Sequence, residues 1–213
     1  MSALPAASLP VPPTEAELEF DRQVEALALA GLPEHRDLSD ACFRAWLEPL
    51  RDVLPGRAAG QSIPFVVVVP DVPVLDVLAA TPGAGGAGFT TMDVDDVARF
   101  RPLPELAVPE APYLLLDVDT GPDTLNVPPA EALPRITDAG RTPLTLAEGL
   151  ALLVFDPGIL RARNCFSLLG ARAGDKRVPA LWVSDRRPRL GWCYQGAPHT
   201  WLGSASAAGR VAA

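Results

Sequence analysis

Apolar residues in the first quarter of the chain recur at helical spacing behind helix-start signals. Thr14-Glu-Ala-Glu17 has the form of a capping box, in which the threonine and glutamate side chains bond to free backbone N–H groups. The apolar residues that follow lie three and four positions apart until Gly31-Leu-Pro33, a combination that ends helices. Ser39 precedes a second stretch of the same periodicity. The pattern predicts a helical segment over residues 14–58, behind a disordered leader of residues 1–13 rich in Ala, Ser and Pro.

Two unbroken apolar runs in the middle of the chain predict strands that are buried on both faces. Ile63–Val69 is rich in β-branched residues and bounded by prolines, and Tyr113–Asp119 ends at the turn-forming Thr120-Gly121-Pro122. The glycine-rich stretch Thr81–Gly88 lacks the Gly-Lys-Ser/Thr ending of a phosphate-binding loop, so we interpret it as a mobile loop. Helical periodicity predicts three further helices, over Val72–Ala80, Pro129–Ala139 and Leu144–Phe155. The last of these opens with a second capping box, Thr145-Leu-Ala-Glu148.

Beyond Cys165 the pattern changes to short alternating runs separated by turn-forming residues, which is typical of an antiparallel meander. The predicted strands are Phe166–Leu169, Val178–Ser184 and Leu190–Gln195. Small residues from Ser204 to Ala213 predict a terminal helix. The whole pattern predicts an α+β fold with N-terminal helices, a central mixed sheet and a C-terminal antiparallel β-meander, in a single domain over residues 14–213.

Charge divides the chain into an acidic front and a basic tail. The formal net charge is −8, but residues 1–160 carry 9 arginines and 24 acidic residues, whereas residues 161–213 carry 9 basic residues and two acidic ones. The negative total predicts repulsion from nucleic acids and anionic membranes. The division predicts an anion-binding site in the tail or docking of the two parts on each other, within one chain or between copies.

Composition and cysteine spacing predict a soluble cytoplasmic protein. Hydrophobic residues make up 48% of the chain and charged residues 21%, proportions that are ordinary for globular proteins. Apolar runs such as Phe65–Val69 are far shorter than the roughly 20 residues of a membrane-spanning helix, so no membrane partner is predicted. Three cysteines at wide spacing argue against a disulfide framework and for a reducing compartment. They form no close-spaced pair of zinc ligands, so neither a metal nor a cofactor is predicted.

Several sequence blocks resemble a known family. The blocks in the tail are Asn164–Gly170, Gly174–Trp182 and Gly191–Gly203. Leu115–Gly121, Thr124–Asn126 and Gly140–Thr145 are similar to upstream blocks of the same family. The resemblance is to an actinobacterial family known only as a domain of unknown function, and it covers a body of residues 60–210. It implies relatives but no activity, substrate or catalytic residue.

Two arrangements are candidate catalytic sites. Asp117 and Asp119 at a predicted strand end resemble the nucleophile and acid/base pair of haloacid-dehalogenase-type phosphatases. The next residues are Thr-Gly rather than the usual Gly-Thr, and the later lysine-and-acid signature is missing, so an aspartate-capped turn is the competing interpretation. A thiol enzyme would instead pair Cys165 or Cys193 with His199. Cys193, in an alternating strand, also fits a small buried hydrophobe.

The densest group of binding-type side chains lies in the tail. Arginine binds carboxylate or phosphate through two N–H groups, and indole rings stack on planar or apolar groups. The candidate ligand-binding residues are Arg172, Lys176, Arg177, Trp182, Arg189, Trp192, His199 and Trp201. We predict a non-catalytic binding or accessory protein that uses this face for an anionic ligand or an acidic partner. In the competing interpretation the tryptophans build core and the arginines pair with the acidic front of the same chain.

Overall fold

Helices occupy the front of the molecule and antiparallel strands dominate its C-terminal part. A computed structural model of the chain describes residues 12–56, 63–161 and 164–213. Within these residues the element order confirms the predicted α+β fold with N-terminal helices and C-terminal antiparallel strands. The predicted leader lies outside the described residues as far as Val11.

Local capping chemistry starts the helices where the sequence predicts them. Both capping boxes form, with Thr14 bonded to Glu17 and Thr145 bonded to Glu148, and the Ser39 side chain accepts from the backbone N–H of Cys42. The α-helices of the described residues are α1 (Glu15–Leu29), α2 (Leu32–His35), α3 (Asp40–Leu47), α4 (Val74–Ala80), α5 (Val94–Ala98), α6 (Pro129–Asp138) and α7 (Leu146–Phe155). Short 3₁₀ helices span Glu48–Val53, Pro122–Thr124 and Pro157–Ile159.

The strands of the described residues are numbered in chain order and are mostly short. They are β1 (Ile63–Val68), β2 (Pro82–Gly83), β3 (Gly86–Ala87), β4 (Phe89–Thr90), β5 (Arg101–Pro102), β6 (Tyr113–Val118), β7 (Thr142–Pro143), β8 (Cys165–Ser167), β9 (Ala171–Arg172), β10 (Arg177–Ser184), β11 (Arg187–Tyr194), β12 (Leu202–Ser204), β13 (Ser206–Ala207) and β14 (Gly209–Ala212). Two-stranded pairs join β2 to β3, β5 to β9 and β7 to β13.

The two long apolar runs form the centre of a three-stranded antiparallel sheet with the order β1-β6-β14. Val66 and Leu115 pair across β1 and β6, and both side chains are completely buried. Helices α1 and α7 pack against β1. The strands are therefore covered on both sides, as their unbroken apolar sequence predicted.

The C-terminal meander belongs to a five-stranded sheet with the order β12-β8-β10-β11-β4. Strands β8, β10 and β11 are antiparallel neighbours, whereas β12 and β4 join the edges in parallel orientation. The hairpin β10–β11 turns at Asp185 and Arg186, whose φ angles are 53° and 60°. Two consecutive positive φ angles give a tight turn that matches the twist of the strands it joins. This turn fixes the register that orders the side chains of the candidate site.

The last twelve residues connect the two sheets, and the predicted terminal helix is wrong. Strand β12 pairs with β8, β13 with β7 and β14 with β6, so one extended segment crosses from the five-stranded sheet to the central one. The segment is buried from Leu202 to Ala207. A Cβ on Gly203 would lie 2.2 Å from the carbonyl oxygen of Gly121. The backbone of this segment therefore bonds to three strands in turn rather than to itself as the predicted helix would.

The glycine-rich stretch is a short hairpin, in contrast to the loop that we predicted. Strands β2 and β3 pair with each other beside the β10–β11 turn. The backbone N–H of Gly85 donates to the carbonyl of Arg186 at 2.9 Å. Arg187 reaches back to the carbonyl of Ala87 at 2.7 Å, and its guanidinium lies 4.4 Å from the ring centroid of Phe89. The tip of the β10–β11 hairpin is thus held by the β2–β3 hairpin, which lies about 100 residues earlier in the chain.

Candidate functional site

The hairpin β10–β11 distributes the predicted binding residues over two faces of the sheet. Trp182 lies opposite Arg189 in the register, and Trp192 lies opposite Pro179. Successive side chains of a strand alternate between faces, so Trp182 and Arg189 share one face whereas Trp192 lies on the other. The structure therefore does not bring the eight predicted residues together as one surface.

One face carries a group of four side chains that we call the aromatic cluster: Trp182, Arg189, His199 and Trp201. The Arg189 guanidinium lies 5.3 Å from the Trp182 ring centroid. The two indole rings meet edge to face at 6.1 Å, and the His199 imidazole lies 5.5 Å from the Trp201 ring. Consecutive contacts thus connect a cation, two indoles and an imidazole. Cation–π and edge-to-face contacts of this kind hold side chains in defined orientations.

Strand and loop contacts position the members of the aromatic cluster. A Cβ on Gly191 would lie 2.1 Å from the Trp182 ring, so the absence of a side chain at Gly191 lets that indole lie flat across β11. The loop that carries His199 is fixed by its own backbone, since the His199 carbonyl accepts from the N–H of Asn126 at 2.8 Å. The N–H of Ala130 donates to the carbonyl of Gln195 at the start of the same loop. The first turn of α6 and the residues just before it therefore support the cluster.

Two nitrogen atoms of the aromatic cluster lack hydrogen-bond partners. In residues 12–56, 63–161 and 164–213, the buried side-chain polar atoms without a partner are Nε of Arg189 and Nε2 of His199. Buried polar groups in proteins are almost always paired, so each exception calls for an explanation. Arg189 Nη2 does donate to Thr91 Oγ1 at 2.9 Å, and Phe89 lies on the guanidinium at 5.6 Å. Phe89 and Thr91 are contributors that the sequence analysis missed, because nothing local signals the pairing of β4 with β11.

The opposite face is centred on Arg177, which is already neutralised by the chain itself. Its guanidinium contacts Asp96 at 2.9 Å and Asp175 at 3.0 Å, and lies 5.9 Å from the ring of Trp192. The side-chain hydrogen bond from Arg177 lowers the pKa of Asp96, and a backbone hydrogen bond from Arg177 lowers the pKa of Asp175. Trp192 and Tyr194 remain exposed beside this network, each at 46%.

Within the described residues, neither of the two remaining predicted cations forms a side-chain hydrogen bond or ion pair with a member of either group. Arg172 donates to the backbone carbonyls of Leu169 and Ala171, and burial lowers the pKa of its guanidinium. Lys176 is exposed in the turn before β10. Arg172 therefore completes backbone hydrogen bonding, and Lys176 contributes only surface charge.

The two aspartates of the hydrolase alternative lie at the end of β6, and both carboxylates accept hydrogen bonds from other groups of the fold. Asp117 has a φ of 49° and accepts from Arg141 Nη1 at 2.7 Å through Oδ2. The backbone carbonyl of Asp117 accepts from Arg141 Nη2 at 2.5 Å. The neighbouring strand segment bonds one residue earlier, where the N–H of Ala208 donates to the carbonyl of Leu116. Asp119 accepts from the N–H of Gly121 at 2.6 Å, which is the capped turn of the competing interpretation.

The thiols of the second enzyme alternative are buried. Burial raises the pKa of the Cys165 thiol and raises that of Cys193 to about 11. A nucleophilic cysteine needs the opposite shift, because the thiolate is the reactive form. No hydrogen bond joins His199 to either thiol within the described residues. Within the same residues, no group of three or more His, Cys, Asp or Glu side chains is arranged to hold a metal ion.

The fold and its side chains define an α+β protein with exposed aromatic and arginine groups on a C-terminal hairpin. Residues 26–213 match the family described as "Family of unknown function (DUF5701)". The chain belongs to this family, since the match covers most of its length. No curated protein and no solved structure matches the chain significantly. Among the helices of the described residues, none is both long and apolar enough to cross a membrane.

Proposed function

We propose that the protein binds, without catalysis, a small molecule that combines a planar apolar ring with an anionic group, and that the aromatic cluster is its site. The observation that carries this proposal is the pair of unpartnered nitrogens, Arg189 Nε and His199 Nε2, at the two ends of one row of rings. A carboxylate or phosphate supplies the acceptor that the Arg189 Nε–H lacks, and it also accepts from His199 Nε2 in the tautomer that carries the proton there.

The surroundings of the cluster support a ring as the other part of the ligand. The Trp201 side chain is 40% exposed and lies against Trp182, which is half-buried. Exposed indole next to a cation is a surface on which planar groups stack. Binding surfaces are also enriched in Trp, Tyr and Arg compared with other surface.

The enzyme alternatives receive less support from the geometry. Asp117 is bonded to Arg141, Asp119 caps a turn, and burial raises the pKa of both candidate thiols. Catalytic groups are arranged so that they converge on one reacting atom. These four side chains instead complete bonds of the fold or fill its interior.

We propose a reducing compartment, such as the cytoplasm, as the location of the protein. Cys42, Cys165 and Cys193 are all free. The last two are buried in the five-stranded sheet, where a thiol packs as a small hydrophobe. Unpaired cysteines are typical of proteins that fold under reducing conditions.

The proposed site is tested with three probes that separate the ring from the anion: indole-3-acetate, indole and acetate. Thermal unfolding and calorimetry of the full chain should show that indole-3-acetate binds more tightly than either part. Arg189→Met should remove the preference for indole-3-acetate over indole, and Trp201→Ala should weaken both ring-containing probes. Arg135→Met is the matched control, because Arg135 is an exposed arginine on α6 that pairs with Glu131 and with no other acidic side chain of the described residues. The proposal would be overturned if the wild type and the Arg189 variant bound indole-3-acetate equally tightly. It would also be overturned if neither protein bound it.

A further inference from the structure

A polar cleft separate from the aromatic cluster lies where β6 ends beside the C-terminal end of α7. Its volume is about 690 Å³, and its charged lining residues are Asp117, Asp119, Arg141, Asp156 and Arg161. Pockets for small ligands commonly measure roughly 300–1,000 Å³. The cleft therefore has room for a small molecule.

Part of the cleft wall is already saturated by bonds within the chain. Arg141 donates to the side chain and carbonyl of Asp117 and, through Nε, to Ser206 Oγ at 2.9 Å. Thr120 donates to Asn164 Oδ1 at 2.7 Å, and the Asn164 amide nitrogen donates to the carbonyl of Ile159. These residues hold the shape of the cleft and have little bonding capacity left for a ligand.

Three charged side chains of the cleft retain bonding capacity. Within the described residues, the Asp156 and Arg161 side chains make no hydrogen bond or short ion pair, and Arg22 acts on Asp156 only through Coulomb attraction. Asp119 uses Oδ1 for the N–H of Gly121, which leaves its other oxygen. Carboxylates and a guanidinium thus line one cavity without neutralising each other.

Apolar side chains complete the lining between these charges. Ile63, Val118 and Ile159 face the same cavity, and the last two are almost fully buried residues. Such a lining favours a ligand with an apolar part as well as charges of both signs.

We infer that this cleft binds a zwitterionic α-amino acid with an apolar side chain. The ammonium group bonds to Asp156 and Asp119, and the carboxylate accepts from the guanidinium of Arg161, whose paired N–H groups match the two carboxylate oxygens. The apolar side chain lies against Ile63 and Ile159. This site shares no residue with the aromatic cluster and does not depend on the function proposed for it.

The test uses L-leucine together with 4-methylpentanoate, which lacks the ammonium group, and 3-methylbutan-1-amine, which lacks the carboxylate. Calorimetry on the full chain should show that L-leucine binds at least about tenfold more tightly than either analogue, since each loses one charge contact. Asp156→Asn should weaken L-leucine and the amine about tenfold and leave the acid unchanged. Arg161→Gln should weaken L-leucine and the acid and leave the amine unchanged.

Asp156 and Arg161 suit this test because neither side chain takes part in a hydrogen bond of the described fold, so the variants should fold normally, which far-UV circular dichroism checks. Arg135→Gln, with the same loss of charge on exposed α6, is the control and should bind all three probes like the wild type. The inference is wrong if L-leucine fails to bind up to its solubility limit, or if both cleft variants weaken the acid and the amine alike. Failure of the indole-3-acetate test would leave these expectations unchanged.

Discussion

Glu148 shows how a single residue can have a local role and a long-range role at once. Its carboxylate accepts from the N–H of Thr145 at 2.6 Å, which completes the capping box of α7. The same carboxylate accepts from Arg210 at 2.5 Å and 2.9 Å and from the Tyr113 hydroxyl at 2.8 Å. The sequence predicts the first role, because a capping box spans four residues. The second role joins residues 62 positions apart and has no local signal.

Replacing Glu148 by Gln should lower the free energy of unfolding by about 3 kcal/mol, because removing one partner of a buried ion pair leaves the other uncompensated. The Glu148 side chain is fully buried and that of Arg210 is 7% exposed, so water cannot solvate the guanidinium that loses its partner. Urea denaturation monitored by circular dichroism measures the change. The exposed capping box at α1 supplies the control: Glu17→Gln should leave the unfolding midpoint unchanged. Equal effects at the two boxes would contradict the argument.

At the scale of elements, the outer edge of the central sheet is completed by a helix. Gln23 of α1 is 1% exposed and bonds to β1 with both atoms of its amide. Its nitrogen donates to the carbonyl of Phe65 at 3.0 Å, and its oxygen accepts from the N–H of Val67 at 2.7 Å. The amide thus satisfies two backbone groups that an additional strand would otherwise pair. Covering an edge in this way protects it from pairing with other chains.

Gln23→Leu should therefore destabilise the fold by about 2 kcal/mol, since a buried N–H and a buried C=O lose their partners while the volume changes little. Exposed strand edges also promote association, so the variant should show a larger loss of soluble protein on heating. The free energy of unfolding and light scattering during heating are the two measurements. Leu18→Gln, on the exposed side of the same helix, is the control and should change neither. A Gln23 variant as stable as the wild type would show that water reaches this edge.

The elements also show how far the sequence pattern could predict the fold. Helix starts at Thr14, Ser39 and Thr145 were predictable because capping acts within three residues. The alternation within β10 and β11 was predictable as well, but the relation of Trp182 to Trp192 depends on the cross-strand register, which a tight turn fixes. The strands of the last twelve residues were missed because alanine has a high intrinsic helix propensity, which tertiary packing overrides here. The residue types of the aromatic cluster could therefore be predicted from the sequence, but not which of the predicted residues share one face of the sheet.

At the scale of the whole molecule, the division of charge is partly resolved within the chain. Arg177 of the basic tail pairs with Asp96 of the acidic front, and Arg99 of the front contacts Asp175 of the tail at 3.5 Å. Arg210 of the tail likewise pairs with Glu148. The docking of the two parts on each other, one of the two predictions drawn from the charge pattern, thus occurs inside one molecule. The ion pairs of Arg177 with Asp96 and Asp175 neutralise the cation beside Trp192, although the Trp192 ring itself remains exposed.

This network predicts how the stability of the molecule responds to acid. The pKa values of Asp96 and Asp175 are lowered in the folded chain, so both carboxylates favour the folded state at pH values above their unfolded pKa, which is about 3.9 for aspartate. That contribution is lost as the pH falls below about 4 and through the lower folded values. In the double variant Asp96→Asn, Asp175→Asn, the free energy of unfolding should change less with pH than in the wild type. The difference should appear between about pH 5 and pH 2, the interval in which such groups titrate. Added salt should reduce the difference between the two proteins, because exposed pairs are screened. Asp138→Asn, which removes one exposed carboxylate from α6, is the control and should keep the acid dependence of the wild type. An acid limb of unfolding that is identical in all three proteins would show that the network contributes nothing.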